Sequence, residues 1–202
     1  MASQGAIAVL GGTFDPPHLG HLALAQGVAD ELALSRVVIV PTGNPHFKLG
    51  ENVTPASLRM EMTRLLASED RRLAVSDIEA ARPGVTYTVD TLAQIKCEHA
   101  GSHIYFIVGG DCAEHIMRWR RADELARLCT VIAVARPGYD FAVAQRNIEQ
   151  SGMGFDVCYL HLDTLDVSST AIRNAVVAGK PLAGLVPASI EAFIEEHALY
   201  RE

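Results

Sequence analysis

Two histidines and a glycine pair lie close together near the start of the chain. The segment from Gly11 to His21 reads Gly-Gly-Thr-Phe-Asp-Pro-Pro-His-Leu-Gly-His and follows a short apolar run, Ala-Ile-Ala-Val-Leu. Glycines directly after a strand let the backbone approach a ligand closely. The prolines favour a helix start, and His18 and His21, three residues apart, share one face of its first turns. The glycine loop, the two imidazoles and the free N–H groups of a helix start predict a phosphate-binding site.

The same segment is compatible with other chemistry. Asp15, just before the prolines, is predicted to cap the helix with its carboxylate. A histidine pair at this spacing is compatible with zinc, but no third ligand stands out nearby. The Gly-x-Gly-x-x-Gly spacing of dinucleotide-binding dehydrogenases is missing, which disfavours that class. The four cysteines form no Cys-x-x-Cys pair, so we expect isolated thiols in a reducing cytoplasm.

A second cluster of phosphate-binding residue types opens a late helical stretch. Residues 168–173 read Ser-Ser-Thr-Ala-Ile-Arg, which places hydroxyl groups at a helix start and a guanidinium within its first turns. Such a helix start favours an anion, and arginine matches the geometry of phosphate. Taken alone, the segment is equally compatible with capping by Ser168 and a solvated Arg173.

Short apolar runs alternate with amphipathic stretches along the chain. They predict strands over 6–10, 37–40, 73–78, 104–108, 131–134 and 157–162, and helices over 88–100, 122–128, 168–178 and 187–199, with others near Leu19 and after Pro55. Wholly apolar strands separated by helices predict an α/β fold: a Rossmann-like, doubly wound parallel sheet with helices on both faces. Ligands bind such sheets at the carboxyl ends of the strands, near the switch point. Segments 42–55 and 147–154 are predicted to be loops.

Composition narrows the class of protein. The chain has 202 residues, 49% hydrophobic and 20% charged, which predicts one domain over 1–202, with helices from about 168 to 202 packed on the sheet. A net charge of −7 and only three lysines argue against a nucleic-acid partner. There is no apolar run near the roughly 20 residues that span a bilayer and no basic secretory start, so we expect a cytoplasmic protein without a membrane partner.

The two motifs resemble the His-x-Gly-His and Ser-Ser-Thr-x-Ile-Arg signatures of the nucleotidyltransferase superfamily. Nearly end to end, the chain further resembles bacterial nicotinate-nucleotide adenylyltransferases. This second resemblance rests on Arg59-Met60, the run Thr86–Leu92, Gly109-Gly110-Asp111, Trp119, Arg136-Pro137-Gly138, Phe193-Ile194 and Leu199-Tyr200. It implies adenylyl transfer from ATP to nicotinic acid mononucleotide by direct in-line displacement, giving deamido-NAD and pyrophosphate in NAD biosynthesis. It also implies Mg²⁺ carried with ATP, without dedicated protein ligands.

The resemblance implies a role for each matching residue. His18, His21 and Arg173 would be catalytic, contacting the phosphates and neutralising the charge that develops during transfer. Thr88, Trp119 and Arg120 would bind nicotinate, the first and last through backbone and the tryptophan by stacking. The remaining residues would contact ATP: Gly11, Gly12, Thr13, Phe14, Asp15, Lys48, Ser168, Ser169 and Thr170 at phosphates, and Gly109 and Asp111 at the ribose or nucleotide.

The match departs from the family pattern at two places. The order Asn-Pro-His-Phe-Lys over 44–48 differs from the family's Asn-Pro-Pro-His-Lys, so His46 has no assigned role although Lys48 keeps its place. Arg120 replaces an aromatic residue often found beside the tryptophan. Phosphopantetheine adenylyltransferases share both signatures but are usually shorter and lack Trp119 and the run 86–92. A cytidylyltransferase, a non-catalytic nucleotide-binding module and self-association stay open as alternatives.

Overall fold

Six parallel strands form one sheet in the computed structural model, which describes residues 5–43, 53–163 and 165–201. In sequence order the strands are β1 (Ala6–Gly12), β2 (Val37–Pro41), β3 (Leu73–Val75), β4 (His103–Gly109), β5 (Thr130–Ala135) and β6 (Val157–His161). Their order in the sheet is β3-β2-β1-β4-β5-β6, and every neighbouring pair is parallel. The predicted doubly wound, Rossmann-like α/β fold is therefore confirmed.

Helices connect the strands. They are α1 (Leu19–Glu31), α2 (Ala56–Ala67), α3 (Thr88–Glu98), α4 (Gly110–Ala113), α5 (Ala122–Leu128), α6 (Ala142–Ser151), α7 (Ser169–Val177) and α8 (Ala188–Glu196), with a 3-10 helix at Ile116–Arg118. No helix of the described residues is long and apolar enough to cross a membrane.

Three predicted boundaries are wrong by three residues or more, and one of them is the end of the last helix, which lies at Glu196 and not at Leu199. Residues 147–151 belong to α6 and not to a loop, because Ala144 and Ile148 lie four residues apart and are buried against the sheet side of that helix. The third strand ends at Val75 and does not reach Ile78, because β3 is an edge strand whose partner register on β2 stops there. The predicted loop at 42–55 lies largely outside the described residues.

Apolar side chains cover both faces of the sheet. Along β1, Ala8 and Leu10 join the core on one face, whereas Ile7 and Val9 join the core on the other. Ile172, Ile190 and Ile194, from α7 and α8, are buried in the first of these cores. We propose on this basis that residues 1–202 form one domain.

The sheet order places the two glycine pairs side by side. β1 lies between β2 and β4. The chain therefore first builds the sheet from β1 toward the β3 edge and later returns to build it from β4 toward the β6 edge. Gly11 and Gly12 end β1, while Gly109 ends the adjacent β4 and Gly110 begins α4. Both loops therefore open onto the crevice at the carboxyl ends of β1 and β4, which is the switch point of the fold.

Candidate active site

His18 and His21 cap each other at the start of α1. The Nδ1 atom of His18 accepts the backbone N–H of His21 at 3.3 Å, and Nδ1 of His21 accepts the backbone N–H of His18 at 3.2 Å. Their rings stack with centroids 3.6 Å apart. His18 is therefore the N-cap, and the prediction that Asp15 caps this helix is wrong.

These hydrogen bonds determine where each ring carries its proton. Because both Nδ1 atoms accept hydrogen bonds, the proton of each neutral ring lies on Nε2. Burial lowers the pKa of His18 to about 4. Burial also holds the pKa of His21 well below its usual range, and the repulsion that would arise if both rings were protonated lowers it further. Near neutral pH the pair therefore consists of two uncharged imidazoles, each with an Nε2–H donor.

Aromatic packing explains the glycines around the pair. A Cβ atom at Gly20 would lie 3.0 Å from Nδ1 of His18 and 3.3 Å from the carbonyl oxygen of Leu165. A Cβ atom at Gly12 would lie 3.0 Å from the ring of Phe14. Phe14 in turn meets His21 edge to face, with centroids 4.8 Å apart. Phe14 is buried and supports His21, so this geometry gives it a packing role.

The loop before the histidines is held from inside the protein by Asp15. Its carboxylate is buried, accepting the Tyr200 hydroxyl at 2.7 Å and the Thr54 backbone N–H at 3.2 Å. Both oxygens therefore face protein donors, and Asp15 lines none of the cavities described below. The geometry makes Asp15 an anchor of the loop, where the sequence predicted a phosphate ligand.

Arg59, on α2, holds together three loops near the carboxyl ends of the strands. Its buried guanidinium donates to the carbonyl oxygens of Thr13 at 2.7 Å, Gly43 at 2.8 Å and Thr54 at 2.8 Å. In the sequence, Arg59 is part of the Arg59-Met60 pair that contributes to the family resemblance, but that pair does not predict a role for it. The available signal was its place on the apolar face of α2, three residues before the buried Met62, where an unpaired charge is costly.

The late serine-rich motif packs against the histidine loop. Ser168 caps α7 by accepting the Ala171 N–H at 3.1 Å, and the Ser169 hydroxyl donates to the Pro16 carbonyl at 2.8 Å. Arg173 donates to the Asp15 carbonyl at 2.8 Å, across 158 positions of sequence, and to the Thr170 hydroxyl at 3.3 Å. The fold therefore brings the two motifs together.

One cavity, of about 470 Å³, opens beside the histidines. We call it the histidine cavity; its walls come from the start of α1, the ends of β4 and β5, and the segment before α7. An ion pair of 2.7 Å between Arg136 and Asp166 joins two of these walls. The lining residues are His18, Gly20, His21, Leu24, Gly109, Gly110, Asp111, Val134, Ala135, Arg136, Tyr139, Leu165 and Val167.

Two further cavities lie on the other side of the β1 loop. The threonine cavity, about 270 Å³, includes Gly11, Gly12, Thr13, Thr42, Glu79, Thr86, Thr88, Thr91, Phe106 and Trp119 in its lining. The tryptophan cavity, about 490 Å³, includes Thr86, Tyr87, Thr88, Cys112, His115, Arg118, Trp119 and Arg120.

Aromatic contacts shape the walls that these two cavities share. Trp119 packs edge to face on Phe106, with centroids 6.0 Å apart. The Arg120 guanidinium lies over the Tyr87 ring, 4.7 Å from its centroid. The structure thus brings Thr88, Trp119 and Arg120, the three residues that the resemblance assigned to the acceptor, to the lining of one cavity.

Some predicted residues lie elsewhere. Lys48 and His46 are outside the described residues. The serine-rich motif borders the histidine loop but does not line any of these three cavities. Its residues are Ser168, Ser169, Thr170 and Arg173. Across 5–43, 53–163 and 165–201, no three His, Cys, Asp or Glu side chains are grouped so as to hold a metal ion.

The lowered pKa of His18 predicts a pH-dependent stability. Its pKa falls from 6.5 to about 4 on folding, so below pH 6.5 the unfolded chain binds a proton that the folded protein does not. The contribution of the neutral, buried His18 to stability is therefore complete above pH 6.5, and it is lost as the pH falls toward 4. Because of this one group, we expect the free energy of unfolding to be about 2 to 3 kcal/mol lower at pH 4.5 than at pH 7.

His18→Asn isolates this contribution, because asparagine keeps an oxygen that can accept the His21 N–H. Urea unfolding at both pH values should show a smaller pH-dependent loss in the variant. The control is His99→Asn, at the opposite, amino-terminal edge of the sheet, which should keep the wild-type loss. Equal losses in wild type and His18→Asn would contradict the buried, neutral state of His18.

The chain is similar to known proteins over most of its length. The cytidylyltransferase-like family model matches residues 9–175. A probable nicotinate-nucleotide adenylyltransferase from Symbiobacterium thermophilum is 40% identical over 196 residues, covering 96% of this chain and 94% of its relative. A protein of the same name from Saccharopolyspora erythraea is 39% identical over 201 residues, covering 100% and 92%.

The fold is also found in solved structures. Plasmodium falciparum nicotinic acid mononucleotide adenylyltransferase complexed with NaAD superimposes with a TM-score of 0.78 at 18% identity, covering 97% of both chains. At this identity the likeness concerns the fold, whereas the match to the family model and to the bacterial relatives extends over most of the sequence. On that match, the chain belongs to the cytidylyltransferase-like family and, within it, to the nicotinate-nucleotide adenylyltransferases.

Proposed function

We propose that this chain transfers the adenylyl group of ATP to nicotinic acid mononucleotide, forming deamido-NAD and pyrophosphate in NAD biosynthesis. One observation carries the proposal: two neutral imidazoles, whose Nε2–H groups have no acceptor among the described residues, line a cavity at the switch point, and Arg173 binds the loop that carries them. The names of the bacterial relatives support the choice of acceptor.

The chemistry is a direct displacement at phosphorus. A phosphate oxygen of the acceptor forms a bond to the α-phosphorus of ATP while the bond to the β-phosphate oxygen breaks, and pyrophosphate leaves. The protein's task is to hold two anions in line and to neutralise the charge that builds at the reacting phosphate. Nε2–H donors of His18 and His21 do this without taking up a proton, in keeping with their lowered pKa values.

The phosphates of ATP would extend from the histidine pair toward α7. Arg173 and the N-terminal turn of α7, with Ser168, Ser169 and Thr170, would hold the leaving pyrophosphate. A divalent cation, which we take to be Mg²⁺, accompanies ATP as part of the substrate. Lys48, outside the described residues, stays a proposed phosphate contact.

The adenosine would occupy the histidine cavity. Asp111 is exposed at the start of α4 and lines this cavity with Gly109, so its carboxylate can accept hydrogen bonds from ribose hydroxyls. Gly11, Gly12 and Thr13 separate this cavity from the threonine cavity, and the reacting phosphates would meet across them.

The acceptor would occupy the threonine and tryptophan cavities. Trp119 lines both and offers a face to the pyridine ring. Thr88 is the first residue of α3, and none of the described residues accepts its N–H, so this donor could bind the nicotinate carboxylate. Backbone at Arg120 would give a second donor.

The four cysteines are free thiols, which supports a cytoplasmic location.

Acceptor comparison tests the function. Pyrophosphate release from ATP should be fastest with nicotinic acid mononucleotide, slower with its amide, and absent with phosphopantetheine. Fastest release with phosphopantetheine would assign the chain to that branch of the superfamily and overturn the proposal. Failure to turn over any acceptor, in a protein that still binds ATP, would favour the nucleotide-binding module.

Substitution of His18 should remove a transition-state donor. We expect both His18→Ala and His18→Asn to lower kcat by at least ~100-fold, the scale of one lost oxyanion donor. His18→Asn preserves the cap of α1, so its loss separates chemistry from helix stability. His99→Ala should keep wild-type kcat. A His18→Asn variant with near wild-type turnover would contradict the role assigned to this ring.

Substitution of Trp119 should affect the acceptor selectively. Base–aromatic stacking is worth ~1–3 kcal/mol, so Trp119→Ala should raise the acceptor KM about 5- to 100-fold and leave the ATP KM within about 3-fold. Trp119→Phe keeps an aromatic face and should lose less. Since Trp119 is the only tryptophan, its fluorescence should also change when acceptor binds. Equal increases in both KM values would argue against stacking.

A further inference from the structure

A buried carboxylate that the mechanism does not use lies in the wall of the threonine cavity. Glu79 is 9% exposed. Its Oε1 accepts the Thr91 hydroxyl at 2.8 Å and its Oε2 accepts the Thr86 hydroxyl at 3.0 Å. Burial of a carboxylate is costly unless hydrogen bonds satisfy it, so the two threonines are the partners that allow Glu79 to lie here.

The two threonines have special places relative to α3. Tyr87 is the N-cap of this helix, so Thr86 directly precedes the cap and Thr91 is the fourth helical residue. Side chains at these two positions often meet in a hydrophobic contact that sets the direction in which the chain enters the helix. In this protein a carboxylate joins them instead, since Glu79 accepts both hydroxyls.

That turn presents backbone donors to the acceptor cavities. Thr88, the first residue of the eleven-residue helix, lines both the threonine and the tryptophan cavities. Among the described residues, no protein acceptor receives its N–H. The first N–H groups of a helix and its partial positive charge favour a carboxylate over a neutral amide.

We propose that Glu79 is a positioning residue for acceptor recognition: through Thr86 and Thr91 it aims the first turn of α3 at the acceptor and sets the preference for an acid over an amide. This inference rests on the proposed function. Glu79 lines the threonine cavity and not the histidine cavity, so we expect its effect to fall on acceptor binding and not on the chemical step.

The isosteric variant Glu79→Gln tests the proposal, because a glutamine accepts with one oxygen only and turns an amide N–H₂ toward the other threonine. We expect the KM for nicotinic acid mononucleotide to rise about 10-fold, and the ratio of kcat/KM for acid over amide to fall about 10-fold. The KM for ATP should stay within about 2-fold. Glu61→Gln, on an exposed position of α2, is the matched control and should match wild type.

Thr91→Val removes one hydroxyl without changing side-chain shape, and it carries the test if Glu79→Gln does not fold. It should lower the same acid-over-amide ratio, and the double variant should be little worse than either single variant, because both act through one hydrogen-bonded unit. Titration of acceptor by Trp119 fluorescence should show the same order of affinities.

The outcomes separate this inference from the proposed function. Wild-type acceptor KM and acid-over-amide ratio in folded Glu79→Gln would overturn the inference while leaving the function intact. Equal increases in the KM for ATP and for acceptor would also overturn it, since they would indicate a general structural effect. A wild-type enzyme that turns over none of these acceptors would instead contradict the proposed function.

Discussion

The site depends on one reciprocal interaction: each imidazole of the His18–His21 pair accepts the other residue's backbone N–H. The bonds begin α1 at a defined residue and fix both ring orientations. They also use Nδ1 for capping, which leaves Nε2–H as the outward donor. Under the proposed function, helix capping and phosphate recognition would therefore be two uses of the same side chains. The absence of a Cβ at Gly20 is what allows the His18 ring to lie this close to the helix.

The loop that carries this pair is held by buried charge. Asp15 and Arg59 both lie in the interior, yet each is engaged by several hydrogen bonds, Asp15 with Tyr200 and a backbone N–H, Arg59 with three carbonyl oxygens. Removing one partner from such an arrangement leaves an unsatisfied buried group, so its members are strongly interdependent. The loops that would surround the reacting phosphates under the proposed function are thereby held before substrate arrives, which lowers the cost of ordering them.

The two ends of the chain meet at this loop. Arg173 and Ser169 donate to the carbonyl oxygens of Asp15 and Pro16, and Tyr200 reaches the Asp15 side chain. On the opposite side of the β1 loop, Glu79 orders the start of α3 in the same manner, by accepting from side chains that flank the helix start. Donor and acceptor nucleotides would thus meet at a rigid segment supported from both sides.

The sequence by itself determined much of this protein. Wholly apolar strands alternating with helices predicted the parallel sheet, because strands buried on both faces need apolar side chains throughout. The His-x-Gly-His and Ser-Ser-Thr-x-Ile-Arg motifs identified the superfamily. Local pattern also predicted that His18 and His21 share a face, since that relation depends only on the helical repeat.

Tertiary structure decided which groups face the cavities and which face the protein. Asp15 looked like a helix cap or a phosphate ligand, but the hydroxyl that binds it comes from Tyr200, at the far end of the chain. Arg59 and Glu79 gained roles from carbonyl oxygens and hydroxyls supplied by other segments. Local sequence cannot reveal such partners, because hydrogen bonds between distant segments form only after the sheet has brought their loops to one edge.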